Sequence, residues 1–200
     1  MFKRTISKGE EEFRETLFLE WTRGLSPREQ RISIFSHIRN IPYAIIPDWE
    51  GPSDLVKMMI THNRGWCGPK HVLLIWMFQK LNIHIEYVII PFRWKDQQVK
   101  YPPSLQNIVS YLPAVYHLCS KAFLDDKWCL LDVTWDPLLR KAGFPINDPW
   151  DGISETLPAV ISTNSVKEKP KSNSSSQKLI KTVEFTHYLN KWLEDVRISE

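Results

Sequence analysis

Three residues of this 200-residue chain have the types needed for nucleophilic chemistry at a carbonyl: a thiol at Cys67, an imidazole at His117 and a carboxylate at Asp132. Cys67 opens an apolar run to Leu81 in which Val72, Leu73, Leu74, Ile75, Trp76, Met77 and Phe78 leave almost no polar face. A segment apolar on nearly every side reads as a helix buried in the middle of a domain. Pro69 fits its first turn, where a missing N–H costs nothing. A cysteine at that position faces unsatisfied N–H groups and the positive end of the helix dipole, which favours the thiolate. Gly68 beside it allows close approach to the backbone. Taken alone, Cys67 fits better as a small apolar filler at the head of a core helix. A base and an orienting carboxylate elsewhere decide between the two.

A hairpin supplies both by arithmetic. Val115 to Leu124 and Lys127 to Trp135 are apolar-rich runs separated by Asp125-Asp126, a hairpin signal. A two-residue turn there pairs Leu124 with Lys127, Cys119 with Asp132 and His117 with Thr134. Residues two apart in a strand share a face, so His117, Cys119, Asp132 and Thr134 point the same way. Asp132 then fixes the tautomer of His117 and stabilises its imidazolium, leaving the second ring nitrogen to face a thiol. The same parity puts Cys129 on the face opposite Cys119, so these two form no disulfide within the hairpin.

Other side chains compete for roles. His71, four residues after Cys67, is a rival base or, with His62, a metal ligand; an imidazole one turn down a buried helix is more often a hydrogen-bonded structural residue. Lys70 reads as a solvated or snorkelling charge. Asp136 and Asp151 sit in Pro-containing turns, where Asp is common for backbone reasons. Trp66 and Trp135 flank the site and either wall a substrate cleft or pack the core.

These residues resemble the transglutaminase-like superfamily. The stretch from Cys67-Gly-Pro-Lys-His to Ile83 resembles its nucleophile helix, and His117-Leu-Cys through Asp126-Lys-Trp128 to Asp132-Val-Thr-Trp-Asp136 is similar to its His strand, hairpin and Asp strand. The likeness spans about residues 60–140, with the three motifs in the family's order. It implies an α+β, papain-like core with a central helix packed on an antiparallel sheet. It implies Cys67 as nucleophile, His117 as general base and Asp132 as orienting acid; Trp66 and Trp135, which flank these residues, are the candidate substrate-binding side chains, and no acidic cluster with metal-loop spacing calls for a metal or cofactor. The reaction implied is acyl transfer from a peptide or protein amide to water or to an amine. A second oxyanion donor beside the Cys67 N–H is open among Trp49, Asn63 and Trp66. Arg64-Gly65-Trp66-Cys67 also resembles the turn of the arylamine N-acetyltransferases, though one of their glycines is missing and Val133-Thr-Trp-Asp136 differs from their pattern. A third reading is an inactive member kept as a peptide- or protein-binding module.

The elements that must position this chemistry follow from periodicity. Phe13, Leu17 and Trp21 mark a first helix over 8–23, stopped by Gly24. Ser26-Pro27 caps a second that runs to about Asn40. Ile41 to Pro47 is a short extended piece weakened by prolines, and Ser53 caps a brief helix to about Ile60. His84 to Arg93 is a strand, and Pro102-Pro103-Ser104 opens a short helix to about Tyr111. Residues 163–177 lose almost every large apolar side chain and read as a loop, and 178–197 as a final helix. The expected organisation is one domain: helices over 1–40, a core over 41–162, the loop, and a docked helix.

Composition bounds the rest. Three cysteines suit neither a disulfide framework nor a paired-cysteine zinc site, so at least one thiol is free. A net charge of +3 from 26 basic and 23 acidic residues argues against a nucleic-acid partner. No uncharged apolar run reaches the roughly 18 residues of a membrane span, and the first residues do not form a signal peptide. The expectation is a cytoplasmic protein.

Overall fold

The computed structural model describes residues 7–49, 54–163 and 176–199, with side chains of the last stretch from 182 onward. Most of the predicted loop at 163–177 lies outside the described residues. Two helices come first: α1 (Lys8–Thr22) and α2 (Pro27–Asn40). Each begins with a Ser and a Glu three residues on that reach back to satisfy one another's orphan groups: Ser7 with Glu10, and Ser26 with Glu29. Pro27 takes the first position of α2.

The next helix, α3 (Leu55–His62), is capped by Asp54, whose side chain accepts from the N–H of Val56 and Lys57. That corrects the expectation of Ser53: Asp54 also receives the buried Arg14 guanidinium at 3.2 Å, so one carboxylate caps the helix and pairs a charge. The extended piece survives only as a single bridge, Tyr43 to Gly65, which brings the chain alongside the residues preceding α4 (Cys67–Lys80).

The sheet has three antiparallel strands in the order β1 (Ile85–Phe92), β2 (Val115–Leu124), β3 (Lys127–Leu131). Asp125 and Asp126 both hold positive φ, 45° and 66°, as a two-residue hairpin turn requires, and Leu124 pairs with Lys127 as expected. The ladder ends at Ser120–Leu131 instead of running to Trp135. Beyond Leu131 the backbone groups bond elsewhere: the Asp132 N–H to the Thr156 hydroxyl, and the Val133 and Thr134 carbonyls to Lys70. With those groups engaged, strand pairing stops where the proposed acid begins.

The two faces of this sheet are buried at opposite ends. Ile85, Ala122, Leu124, Cys129 and Leu131 pack against α4, α1 and α2 in one cluster. Phe92, Ile90 and Val115, on the other face, join a second cluster with Trp94, Trp135, α5 (Pro103–Val109) and α6 (Ser176–Ile198). His117 and Cys119 share the second face, near the place where burial changes sides. The architecture is therefore α+β, with a buried central helix on an antiparallel sheet, helices before it and a helix docked after it. No described helix is long and apolar enough to cross a membrane.

Candidate active site

The hairpin register carries His117 and Asp132 together. His117 Nε2 lies 2.8 Å from Asp132 Oδ2, and the two residues are 3% and 2% exposed, so this contact is made almost out of reach of water. The carboxylate is held from several sides. Oδ2 also accepts the N–H of Ala159 at 2.8 Å, and Oδ1 accepts the N–H of Thr134 at 3.1 Å. Fixed backbone donors of this kind favour the ionised form.

Cys67 begins α4 and is half-buried, whereas Cys119 and Cys129 are buried. Its thiol and that of Cys119 both act on the His117 ring and raise its proton affinity. With Nε2 committed to Asp132, Nδ1 is the nitrogen left free to face a thiol. The three chemistry-bearing residues thus converge from the head of one helix, the middle of one strand and the residue after another.

Burial opposes charge on both members of the pair, and mutual attraction outweighs it. For His117, burial lowers the proton affinity, but the charge and hydrogen bond of Asp132 raise it well above the ordinary imidazole range, with help from the Cys119 and Cys67 thiols. For Asp132, burial raises the proton affinity, but His117 and then His71 hold it well below the usual carboxylate range. The pair is an imidazolium and a carboxylate at neutral pH.

This has a measurable sign. A group whose folded-state proton affinity is raised stabilises the fold fully below its unfolded value, about 6.5 for His, and loses that contribution as pH rises toward the folded value. The Asp132 contribution is complete above about pH 4 and does not change there. The gap in thermal midpoint between the wild type and His117→Phe is therefore expected to narrow steadily above about pH 6.5. A gap that stays constant from there to pH 9 would contradict a charged His117.

Lys70 is not where the sequence suggested, whereas His71 is the buried, hydrogen-bonded residue its place on α4 implied. Lys70 is fully buried, not snorkelling: its ammonium donates to the carbonyls of Arg39 (3.1 Å), Val133 (3.4 Å) and Thr134 (2.8 Å). Three carbonyls match three N–H groups. Burial pulls Lys70 down to about 7 against the opposing charges of Asp136, Asp132 and Cys67, with Arg197 adding to the fall. Its effect on the site is to fix the two residues after Asp132. His71, also fully buried, meets the Ser120 hydroxyl through Nδ1 at 2.9 Å and comes within 3.5 Å of Asp132 Oδ1 through Nε2. It is a neighbour of the acid, while His62 is exposed and stacks near Trp49.

His71, His117 and Asp132 have the composition of a two-imidazole, one-carboxylate metal set, and their donor atoms lie within 4.8 Å of one another. The two imidazoles address different oxygens of one carboxylate, and His117 is already bonded directly to it. That is a hydrogen-bonded His117–Asp132 pair with His71 facing its second oxygen.

The tryptophans divide. Trp66 is half-buried at the N-terminus of α4, 6.1 Å from the ring of Trp49. Its Nε1 lies 2.9 Å from where a Cβ on Gly68 would be, so the glycine makes room for the chain's own indole beside Cys67. Trp135 is 4% exposed, stacks against Tyr43 and Phe144, and donates to the Ala159 carbonyl at 2.8 Å. It packs the interior and steadies the segment whose N–H holds Asp132; it does not wall an open cleft.

Asp136 takes Arg197 of α6 in a two-point contact (3.2 and 2.7 Å) and accepts the Tyr43 N–H, which ties the final helix to the motif after Asp132. Asp151, exposed, closes a local turn by accepting from Ile153 and Ser154. A groove of about 580 Å³ lies behind Ala159, walled by Ile90, Leu130, Leu157, Val160 and Ile161; Cys67 does not line it.

No protein-family model matches the chain, nor does any curated protein sequence. Among solved structures, one from Cytophaga hutchinsonii described as a candidate cysteine protease is similar, with a TM-score of 0.42 and 19% identity over 62% of this chain and 38% of that one. A second, described as a TGase, has a TM-score of 0.39 and 12% identity over 68% of this chain and 35% of its own. The chain spans well under half the length of either.

Proposed function

We propose that this protein is a cysteine-dependent acyl-transfer enzyme of the transglutaminase-like kind, acting on a carboxamide or peptide bond. The observation that supports this reading best is the buried 2.8 Å contact of His117 with Asp132, with the half-exposed Cys67 thiol near enough to raise the proton affinity of the same ring. A structural His–Asp pair has no use for a thiol at a helix head beside it.

In this reading the Cys67 thiolate attacks the carbonyl carbon and forms a C–S bond. The C–N bond then breaks as His117 gives its Nδ1 proton to the departing amine. In the second half His117 takes a proton from water, whose oxygen attacks the thioester and releases the acid and the thiol; an amine in place of water yields a new amide. Asp132 keeps the ring oriented and its positive charge stabilised throughout. The Cys67 N–H is one donor to the developing oxyanion. Of Trp49, Asn63 and Trp66, we take Trp66, whose indole N–H lies beside Gly68, as the second donor.

Gly68→Ala tests that donor. The new methyl meets Nε1 at 2.9 Å and pushes the indole away, so acylation of Cys67 is expected to slow by roughly 10²-fold with the thermal midpoint held. An unchanged rate would return the choice to Trp49 and Asn63.

The reaction itself is tested with p-nitrophenyl acetate, whose acylation of a thiol releases nitrophenol at once. The expected result is a burst equal to the enzyme concentration, followed by slow turnover that hydroxylamine accelerates. The absence of a burst would sink the reading. Protection of Cys67 by acetyl-CoA would move it to the arylamine acetyltransferase-like alternative.

A further inference from the structure

We propose that His71 is a positioning residue of this site: its Nε2–H faces Asp132 Oδ1 across 3.5 Å and draws on that carboxylate's charge, so that His117 keeps a proton it can release. The inference deepens the acyl-transfer reading above and rests on it for its catalytic consequence, though not for its geometry.

The tautomer follows from hydrogen-bond accounting. Ser120 is fully buried, and among the described residues its hydroxyl has one partner, His71 Nδ1 at 2.9 Å. A buried hydroxyl that donates nowhere is costly, by about 1–3 kcal/mol, so Ser120 donates and Nδ1 accepts. Burial holds His71 in its neutral form, which has a single ring proton. With Nδ1 accepting, that proton is on Nε2, which has no hydrogen-bond partner within ordinary distance and lies 3.5 Å from Asp132 Oδ1. The alternative tautomer would aim a nitrogen lone pair at a buried carboxylate.

Asp132 is thus approached by four N–H groups: His117 and Ala159 on Oδ2, Thr134 and His71 on Oδ1. Every donor beyond His117 draws charge from the oxygens and weakens their hold on the imidazolium. His71 is the one side chain among these extra donors. It is also on α4, one turn from Cys67, so the helix that presents the nucleophile also restrains the acid. The other charged or titratable groups facing this cluster are Cys67 and Lys70 from α4, Cys119 from β2 and Tyr43, with the Asp136–Arg197 pair behind Lys70. None of these donates to Asp132, so none replaces His71 when it is removed.

The sign is fixed by this geometry. Without the His71 N–H, Asp132 turns more of its charge on His117, so the pair binds its proton more tightly and the imidazolium becomes a weaker acid that stabilises a neighbouring thiolate less. His71→Phe removes the donor and keeps the volume; His71→Gln keeps an N–H that reaches Asp132. Iodoacetamide alkylation of Cys67, the accessible thiol, is followed against pH by intact mass in the full chain. The acid-side midpoint is expected to rise by about half a pH unit in His71→Phe, roughly a threefold loss of reactive thiolate at a fixed low pH. The nitrophenol burst is expected to slow by roughly tenfold. His71→Gln is expected to restore both to within about twofold of the wild type.

A merely structural His71 would lower the thermal midpoint and leave the alkylation profile in place, and that outcome would overturn the proposal. So would a His71→Gln variant as impaired as His71→Phe. Should His71→Phe fail to fold, nitrogen NMR of the wild-type imidazoles decides: His71 protonated on Nε2 is expected, and protonation on Nδ1 contradicts it. A wild type with no nitrophenol burst would remove the catalytic reading and leave the tautomer and the alkylation profile to judge the positioning role.

Discussion

Replacing Cys67 by alanine is expected to abolish the nitrophenol burst altogether while leaving stability within about 1 kcal/mol of the wild type. The reasons are separable. Cys67 is half-buried at a helix head, so its loss opens no sealed cavity, and the helix keeps its packing through Leu73, Leu74, Met77 and Phe78. The remaining thiols, Cys119 and Cys129, are buried and out of reach of a substrate. Burst amplitude and thermal midpoint, measured on the same preparation, check both halves. A residual burst of wild-type size would place the nucleophile elsewhere.

Asp132→Ala is expected to behave in the opposite way and to damage the fold as much as the chemistry. The carboxylate satisfies His117 and the backbone N–H groups of Ala159 and Thr134, all in the interior. Removing one partner of a buried charge pair costs about 3–5 kcal/mol, because the other is left uncompensated. Urea unfolding measures the loss. Asp132→Asn, which keeps shape and charge-free hydrogen bonding, is expected to unfold less readily but still to lose roughly 10³–10⁴ in rate, because the imidazolium is no longer stabilised and the ring adopts the wrong tautomer. Asp132→Ala within 1 kcal/mol of the wild type would mean that the network contributes little to the fold.

Much of this was legible in the sequence because it depends on short-range rules. Ser26-Pro27 and Asn40 bound α2 as capping and periodicity require, and Asp125-Asp126 set a hairpin register that put His117 within reach of Asp132. The end of β3 was not legible. It is decided by Thr156 and Lys70, which lie far along the chain from Leu131 and claim the backbone groups that a longer ladder would need. Lys70 misled for the same reason: a lysine is read as solvated unless its carbonyl partners are known, and those come from α2 and from the residues after Asp132. Trp135 belongs to a core built partly from α6, whose docking through Arg197 and Asp136 no local pattern announces.

His71 illustrates the limit most directly. Its spacing from Cys67 put it on a suggestive helical position, and its partner Ser120 carried no signal of its own within an apolar strand. What could have linked them is the strand's parity: Ser120 shares the face of Ala122 and Leu124, the face on which α4 packs. A polar residue there implies a polar partner on the helix.

The central claim is that Cys67 carries the acyl group. The most direct measurement is acid quenching during the nitrophenol burst, followed by proteolysis and mass mapping of the acetylated peptide. The account predicts one acetyl group, on the peptide containing Cys67, at a level that tracks the burst amplitude. Acetyl found on Lys70, on Cys119 or on no residue at all while nitrophenol is released would contradict it.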